Sequence, residues 1–388
     1  MKRNLSLLLI VFCACALNVT GAEQDKKNDR DNKYVPKLSE SIIAPPSAPT
    51  PRRYIKKGLK SRDRALLISN FWIRDPYITY GPDKYYYLTG TISANEESRT
   101  KETDNSPGVR VWRSKNLIDW EFYGKVFTPK LNDKSQKNQV WAPELHWLGD
   151  RWALIHCPGH NTHFMLGPIG EKEPKGPWIA PMEDSILGNK HDPSLYQEDG
   201  KMWMIWTIGL ENATIAQMNA SLSGWIEEPV TIIPSGKRYS KRLEKVMNSM
   251  GHEGAGILKI ANKYVYYGTG WSTDEGRRGS YNLYYATADN ITGPYGPRRF
   301  LGRFLGHGNL FQDADGKWWC TAFANANVPP ISHEGIQTRD LSDNAYTINQ
   351  CGTTIVPIDI RILPDGDIEI KAMDPDYGTP GPDEAQKF

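Results

Sequence analysis

From residue 61 onward, short apolar runs alternate with polar turns, and this pattern recurs five times along the chain. Each unit has the same order: a polar residue beside Pro or Gly, alternating apolar residues, a tight turn, and an aromatic-rich run. The units are RDPYITYGPDKYYYLTG from Arg74, WAPELHWLGDRWALIH from Trp141, HDPSLYQEDGKMWMIW from His191, HEGAGILKIANKYVYYG from His252 and GHGNLFQDADGKWWCTA from Gly306. Turns of the Asp-Gly type between alternating runs predict β-hairpins.

The spacing of the units predicts the architecture. Aligned at their second residue they begin at positions 75, 142, 192, 253 and 307, so successive starts are 67, 50, 61 and 54 residues apart. Each unit has room for four short strands, and radial stacking of such sheets buries both of their faces. The sequence therefore predicts an all-β fold, a five-bladed β-propeller over residues 61–388. The strands from Thr353 would close the ring or pack on its flank. A β-sandwich with similar hairpins is the alternative.

Two stretches depart from the strand pattern. Residues 23–60 are first charged and then Pro-rich, which predicts a flexible linker because such a segment cannot bury enough apolar surface to fold. Residues 240–250 (SKRLEKVMNSM) contain helix formers, which predicts a short helix inserted in a loop.

The start of the chain is typical of a secretory signal peptide over residues 1–22. Lys2 and Arg3 precede an apolar core that ends in small residues. Phe12 and Cys13 ahead of Cys15 fit a lipid-attachment site poorly, so lipoprotein anchoring is not expected. No later apolar run approaches 18 residues, and we therefore expect a secreted or periplasmic protein without a membrane span.

The charge balance and the cysteine content of the chain exclude several classes of protein. Without residues 1–22 the chain has equal numbers of basic and acidic residues, so no overall positive field attracts nucleic acid or an anionic membrane. Cys157, Cys320 and Cys351 allow at most one intramolecular disulfide. The first two end apolar runs and are expected to be buried thiols. Their spacing from histidines is not that of a structural zinc site.

The first two positions of the five units contain charged residues that the fold itself does not require. In a propeller the first strand of every blade lines the central channel, so these positions form one ring. The ring includes Asp75, Asp192 and Glu253, and such crowding is costly unless it serves binding or catalysis, because like charges shift one another's pKa. Each acid alone has a plain explanation, such as a turn that starts at Asp before Pro. Their recurrence at matching positions favours a functional site.

These residues resemble glycoside hydrolase family 43 over about residues 61–330. The motifs are Arg74-Asp75-Pro76, Trp141-Ala142-Pro143-Glu144, His191-Asp192-Pro193-Ser194, Glu253-Gly254 and Gly306-His307. The resemblance implies a five-bladed propeller that hydrolyses arabinofuranosyl, xylosyl or galactofuranosyl linkages with inversion of configuration. It also implies that Asp75 is the general base, that Glu253 is the general acid, and that Asp192 tunes and orients the acid.

Physical reasoning agrees with these roles. Inverting hydrolysis needs one protonated and one ionised carboxyl group on opposite sides of the anomeric carbon, about 6.5–9.5 Å apart. Blades one and four of five are not neighbours, so their inner strands face each other across the channel. A third carboxylate, Asp192, is expected to disfavour ionisation of Glu253 and so to keep Glu253 protonated.

Several other residues of the ring are candidates for substrate binding. An aromatic face suits the C–H face of a sugar, so Trp141 is predicted to form a wall of the pocket, with core packing as the alternative. Arg74 is expected to bind substrate or to pair with an acid, and His191 and His252 to contact sugar hydroxyls or to play structural roles. Trp271 is predicted to border an outer subsite or to pack in the core.

The resemblance also implies a calcium ion at His307, with water supplying most of its ligands, because calcium prefers six to eight oxygens. Nothing in the sequence predicts an organic cofactor. The expected partner is an oligosaccharide or polysaccharide, and nucleic acid is not expected. The alternative function is a catalytically inactive sugar-binding propeller, for which three mutually repelling carboxylates would be a poor choice.

Overall fold

The structure is a computed structural model that describes residues 50–92, 108–129, 139–208, 212–236, 238–240, 245–274, 279–324, 352–381 and 383–388. Within these ranges the chain folds into a five-bladed β-propeller, which confirms the predicted fold and excludes the β-sandwich. The predicted signal peptide lies outside the described residues. None of the helices in the described ranges is long and apolar enough to cross a membrane.

Helix α1 (Arg52–Ser61) precedes the blades and leads into strand β1 (Leu66–Ser69). The helix buries Ile55 and Gly58. Ile55 joins an apolar cluster with residues of β1, and a Cβ on Gly58 would lie 2.3 Å from Leu66 Cδ2, so glycine permits the close approach. The flexible linker predicted over 23–60 is therefore wrong for its last residues, which are an ordered, amphipathic part of the domain. Residues 23–49 are outside the described residues.

The first three blades follow chain order, and neighbouring strands within each blade are antiparallel. Blade one contains β2 (Arg74–Tyr80), β3 (Tyr86–Thr91), β4 (Val109–Ser114) and β5 (Glu121–Phe127). Blade two contains β6 (Trp141–Trp147), β7 (Trp152–Cys157) and β8 (His163–Leu166), followed by α2 (Asp184–Leu187). Blade three contains β9 (His191–Glu198), β10 (Lys201–Ile208), β11 (Asn212–Gln217) and β12 (Val230–Ile232).

Three short strands follow blade three, namely β13 (Pro234–Ser235), β14 (Arg238–Ser240) and β15 (Lys245–Met247). Strands β14 and β15 pair with each other in antiparallel fashion. The helix predicted over 240–250 is therefore wrong, since 245–247 form a strand and 248–250 are irregular. Helix propensity is a weak preference, and strand pairing satisfies the same backbone groups.

Blade four contains β16 (Glu253–Ile260), β17 (Lys263–Trp271), β18 (Tyr281–Ala288) and β20 (Arg299–Gly302), while β19 (Tyr295–Pro297) pairs with β13. Blade five contains β21 (Leu310–Gln312), β22 (Trp318–Phe323) and β23 (Thr353–Ile362), and β1 is its fourth strand. The late strands thus help to close the ring, as predicted. The outer half of β23 pairs with β24 (Ile368–Ala372), which is followed by α3 (Pro375–Gly378).

The apolar core lies between adjacent blades. Strands β3, β7 and β18, which run through the middle of their blades, are buried at every position. Tyr87 of blade one and Trp152 of blade two belong to one such cluster. Cys157 and Cys320 are buried free thiols, as predicted, and Cys351 lies outside the described residues.

After α3 the chain returns to blade four as a C-terminal tail, residues 383–388. The Asp383 carboxylate accepts hydrogen bonds from the Ser272 and Ser280 hydroxyls and pairs with Arg303 at 2.6 Å. Tyr284 Oη donates to Glu384 at 2.8 Å. The tail thereby holds both ends of the loop that follows β17.

Candidate active site

The inner strands of blades one to four each carry a bulge near their first residue. At each bulge one residue adopts a left-handed conformation, and the residue at the matching place in blade five does the same. These residues are Asp75 (φ 49°), Ala142 (41°), Asp192 (45°), Gly254 (60°) and His307 (56°). A bulge changes the direction of a side chain locally, and a left-handed non-glycine residue costs about 1–3 kcal/mol. A bulge and a left-handed residue that recur together at the start of the inner strands are therefore typical of a functional site.

Glu253 does not occupy the position that the sequence alignment gave it. Glu253 pairs with Thr269, just as Arg74 pairs with Thr91 at the start of blade one. Glu253 is therefore equivalent to Arg74, and the residue equivalent to Asp75 is Gly254. Glycine accepts the left-handed conformation without strain, and a Cβ there would lie only 3.0 Å from His307 Cδ2. The three acids are not at matching repeat positions, although all of them reach the channel.

Asp75 is buried and held as a hydrogen-bond acceptor. The Thr91 hydroxyl donates to Asp75 Oδ2 at 3.0 Å and accepts the Ala142 amide hydrogen at 2.7 Å, so its one proton is directed at the carboxylate. His307 Nδ1 lies 3.3 Å from Asp75 Oδ1. The opposite nitrogen of the same ring, Nε2, lies 3.7 Å from Asp192 Oδ2. The imidazole of His307 therefore lies between the two aspartates and links blades one, three and five.

His191 makes the corresponding link between Asp192 and Glu253. Its Nε2 lies 3.3 Å from Asp192 Oδ2 and 3.7 Å from Glu253 Oε2. Burial raises the pKa of Asp192, and the nearby carboxylates of Glu253 and Asp75 raise it further against the opposing effect of the two imidazoles. Burial lowers the pKa of His307, but the carboxylates of Asp75 and Asp192 outweigh it, so that this pKa is raised overall.

Glu253 lies among cationic and hydrogen-donating groups. The Tyr281 hydroxyl donates to Glu253 Oε1, and His252 Nε2 lies 3.4 Å from the same oxygen. Burial alone would raise the pKa of Glu253, but His252 and His191 outweigh it and hold this pKa well below its ordinary value. This direction is opposite to the one expected from Asp192, because the imidazoles of His252 and His191 outweigh the third carboxylate around Glu253.

The two aromatic candidates, Trp141 and Trp271, have different surroundings. Trp141 is half-buried, and its ring meets His160 and His191 edge to face at centroid distances of 5.7 and 6.5 Å. This position on the rim suits the predicted pocket wall. Trp271 is only 5% exposed and stacks on His252 with an angle of 12° between the planes. Trp271 thus supports His252 from behind, which is the packing alternative, and offers little surface to a sugar.

The remaining predicted residues lie in the same region. Arg74 begins β2, is half-buried and pairs with Thr91 in the strand ladder. His252 immediately precedes β16, and its backbone N–H donates to the Thr269 carbonyl. The structure therefore brings all of the predicted catalytic residues and histidines to one end of the inner strands.

The surroundings of His307 leave little open space for the predicted calcium ion. Both ring nitrogens of His307 face carboxylates, so neither is directed at an open position. His307 helps to line a cavity of about 20 Å³ together with Tyr77, Glu144 and Asn309, among others, which is room for about one water molecule. A hydrated calcium ion fits this space poorly, and the calcium site stays a prediction.

Three residues of the site were missed by sequence reasoning, namely Tyr281, Thr91 and His160. Tyr281 lies 28 positions after the acid that it contacts and has no motif of its own. A signal for Thr91 does exist, because Thr91, Thr207 and Thr269 lie at or near the end of the second strand of three blades, at matching positions. Comparing the second strands of the repeats, and not only the first, would have found it.

Comparison with known proteins gives consistent matches. A model of glycosyl hydrolases family 43 matches residues 67–339. A xylan 1,3-beta-xylosidase of Vibrio sp is 26% identical over 307 residues, which cover 71% of this chain and 51% of the relative. A non-reducing end alpha-L-arabinofuranosidase of Bacteroides ovatus is 24% identical over 268 residues, which cover 63% and 44%. The chain thus spans about half the length of these curated relatives.

Solved structures share the fold at low identity. An endo-arabinase from Bacteroides thetaiotaomicron has a TM-score of 0.51 and 18% identity, covering 76% of this chain and 97% of the other. An endo-1,4-beta-xylanase from the same organism has a TM-score of 0.53 and 20% identity, covering 80% and 98%.

Proposed function

The chain belongs to glycosyl hydrolases family 43, and from this premise we propose that it is an exported hydrolase of xylosyl or arabinofuranosyl linkages in plant or algal polysaccharides. Two relatives that carry xylosidase and arabinofuranosidase names support this substrate class. The basic, apolar and small-residue order of residues 1–22 supports export.

The single observation that carries the proposal is the chain of contacts that joins the three carboxylates through two imidazoles. Asp75 contacts His307, His307 contacts Asp192, Asp192 contacts His191, and His191 contacts Glu253. Asp75 and Glu253 are the two ends of this chain of contacts, and we propose that they have the separation of about 6.5–9.5 Å that an inverting enzyme needs so that a water molecule fits beside the sugar. A retaining enzyme would need its two carboxylates closer together.

Each acid has a role that its surroundings support. Asp75 accepts hydrogen bonds from Thr91 and so is suited to take a proton from water as the general base. Glu253 is the general acid, although in the free protein His252 and His191 hold its pKa well below the ordinary value. Sugar binding would displace water from Glu253 and favour its protonated form, since desolvation disfavours a carboxylate. Asp192 contacts both His307 and His191 and positions their imidazoles.

The test is a screen of the full chain on para-nitrophenyl α-L-arabinofuranoside, β-D-xyloside and β-D-galactofuranoside, with NMR of the first product anomer. We expect turnover of at least one of the first two substrates and a product of inverted configuration. A retained anomer would refute the inverting mechanism. Measurable sugar binding without turnover of any substrate would instead support the inactive sugar-binding propeller.

A further inference from the structure

A buried tyrosine hydroxyl lies against the proposed general acid. Tyr281 begins β18 and is only 3% exposed, and its hydroxyl donates a hydrogen bond to Glu253 Oε1. The same oxygen lies 3.4 Å from His252 Nε2, whereas the other oxygen, Oε2, lies 3.7 Å from His191 Nε2. The two oxygens of this carboxyl group therefore have different surroundings, and only Oε1 has the tyrosine as a donor.

The ring of Tyr281 is held in place by its neighbours. Trp271 pairs with Tyr281 between β17 and β18, and their rings pack at a centroid distance of 4.7 Å. Gly306 of blade five donates its N–H to the Tyr281 carbonyl at 3.0 Å. A Cβ at Gly306 would lie 2.2 Å from Tyr281 Cδ1, so glycine is required for the ring to fit. The glycine of the Gly306-His307 motif thus has a physical reason, which is to make room beside the acid of blade four.

The backbone that leads into Tyr281 is held as well. Ser280 donates its N–H to Asp383 Oδ2 at 2.8 Å, and its hydroxyl donates to the same carboxylate. The C-terminal tail therefore fixes the start of β18, from which the tyrosine extends to the acid. A donor that is held in this way has its direction set before substrate binds.

We propose that Tyr281 is a positioning residue that directs the catalytic proton of Glu253 to Oε2. A protonated carboxyl group has one O–H donor and one carbonyl oxygen, and the carbonyl oxygen is the better acceptor. Since Oε1 accepts from Tyr281, Oε1 is the carbonyl oxygen and the hydrogen is on Oε2. In the proposed reaction the Oε2–H bond breaks and the proton bonds to the glycosidic oxygen. That oxygen keeps the electron pair of its bond to the anomeric carbon, where water attacks and gives its proton to Asp75.

The same hydrogen bond stabilises the charge that develops as the proton leaves. Glu253 becomes an anion at that moment, and a donor already directed at Oε1 favours the anionic form. Burial and the Glu253 carboxylate raise the pKa of Tyr281 well above its ordinary value, so the hydroxyl keeps its hydrogen at every working pH. Other charged groups near Glu253 are three imidazoles, which favour its anionic form, and one carboxylate, which opposes it; these belong to His252, His191, His307 and Asp192.

The effect on catalysis rests on the proposed hydrolase function, whereas the hydrogen bond between Tyr281 and Glu253 can be tested without turnover. The catalytic test is the pH dependence of Tyr281→Phe on a natural oligosaccharide and on an activated aryl glycoside. The variant keeps the aromatic ring and its packing, so we expect it to fold, and circular dichroism checks this.

We expect kcat of Tyr281→Phe on the oligosaccharide to fall about 10- to 100-fold, and kcat on the aryl glycoside to fall far less. KM should hardly change, because Tyr281 is too buried to contact the sugar. The alkaline limb of the kcat profile should move to higher pH. Loss of a hydrogen bond to the carboxylate raises the pKa of Glu253, and Glu253 must be protonated to act as the acid.

Tyr285→Phe is the matched control. Tyr285 is a buried tyrosine of the same strand, and its hydroxyl accepts a hydrogen bond from the Ile370 N–H. Its loss should lower the melting temperature, because a buried N–H is left without its acceptor. The pH profile and the ratio of activities on the two substrates should stay those of the wild type.

A carbon-13 NMR titration of labelled glutamate carboxyl groups, with Glu253→Gln to assign the resonance, measures the contact directly. We expect the pKa of Glu253 to be higher in Tyr281→Phe than in the wild type. An unchanged pKa, or equal losses of kcat on both substrates with an unmoved alkaline limb, would overturn the role and leave Tyr281 as a packing residue. An inactive wild type would refute the proposed function, and the titration would still decide the contact.

Discussion

Blades one and four each supply one carboxylate to the site, yet they do so from different places in the repeat. Asp75 is the left-handed residue of its bulge and is buried at 8% exposure, with hydrogen bonds that hold it as an acceptor. Glu253 lies one residue earlier than the left-handed position and keeps 26% of its side chain exposed. Asp75, the proposed base, is thus fixed and enclosed, whereas Glu253, the proposed acid, is more open to what enters the channel. Residues at the same position of the repeat therefore do not have the same chemical role in the two blades.

The two blades also differ in their outer support. Blade one packs near α1, which contacts the domain through the buried Ile55 and through an exposed ion pair between Arg52 and Asp119. Blade four is held by the C-terminal tail, whose contacts are ion pairs and hydrogen bonds through Asp383 and Glu384. Because the pKa of Glu384 is raised by burial, we expect the stability of blade four to depend on pH.

The largest expected effect comes from removing the base. Asp75→Asn keeps size and polarity but cannot take a proton, so we expect kcat to fall about 10²–10⁴-fold on oligosaccharides and aryl glycosides alike. Steady-state kinetics measures the loss, and sugar affinity should be largely retained. Activity within a few-fold of wild type would remove Asp75 from the role of base.

Removing the acid should give a loss that depends on the leaving group. Glu253→Gln should reduce hydrolysis of natural oligosaccharides about 10²–10⁴-fold but hydrolysis of an activated aryl glycoside far less, since an aryl group of low pKa departs with little protonation. The ratio of the two losses is the measurement. Equal losses on both substrates would contradict the acid role and the contrast with Asp75.

The offset between the blades can be tested at Gly254. Gly254→Ala introduces a Cβ 3.0 Å from His307 and Thr269 at a left-handed φ, so we expect the neighbouring Glu253 to move and kcat to fall about 10- to 100-fold. Gly200→Ala is the matched control, because Gly200 is also left-handed but a Cβ there would contact nothing within 4 Å. Comparable activity loss in both variants would show that strain alone, and not crowding of the site, is responsible.

A smaller effect is expected on stability at blade four. Burial raises the pKa of Glu384 from 4.5 to about 7, so its ionisation opposes folding. The destabilisation is absent below about pH 4.5, grows between pH 4.5 and 7, and is complete above pH 7, where it amounts to roughly 3 kcal/mol. Glu384→Gln should therefore raise the melting temperature at pH 8 but hardly at pH 4.5. The exposed Glu228→Gln is the control and should show no such pH dependence.

The smallest expected effect concerns calcium. Because both ring nitrogens of His307 face carboxylates, we expect chelator treatment to leave the melting temperature unchanged. Differential scanning fluorimetry with elemental analysis checks this expectation. A lowered melting temperature that added Ca²⁺ restores would establish the predicted calcium site and show that the His307 ring can turn toward it.

The sequence was sufficient for the fold because five aromatic hairpins at even spacing fit few other architectures. It was also sufficient to predict that Asp75, Asp192 and Glu253 come together, since each lies beside a distinct motif. The register of Glu253 was out of reach, because choosing Gly254 as the left-handed residue requires the backbone of the bulge. The contact of Tyr281 with Glu253 was likewise hidden, since it joins residues far apart in the chain. The helix predicted over 240–250 failed because local propensity competed with strand pairing.

Ring closure by β1 has a consequence for how the protein folds. Leu66 pairs with Ile355, so blade five joins residues from near both ends of the domain. During synthesis the edge of β1 stays unpaired until β23 has been made, and an open strand edge is prone to associate with other chains. Such distant pairing also slows folding, because the entropy of closing a long loop must be lost before the contact stabilises anything. We therefore expect closure of the ring to be the late, slow step of folding and the stage at which the nascent chain most needs a chaperone.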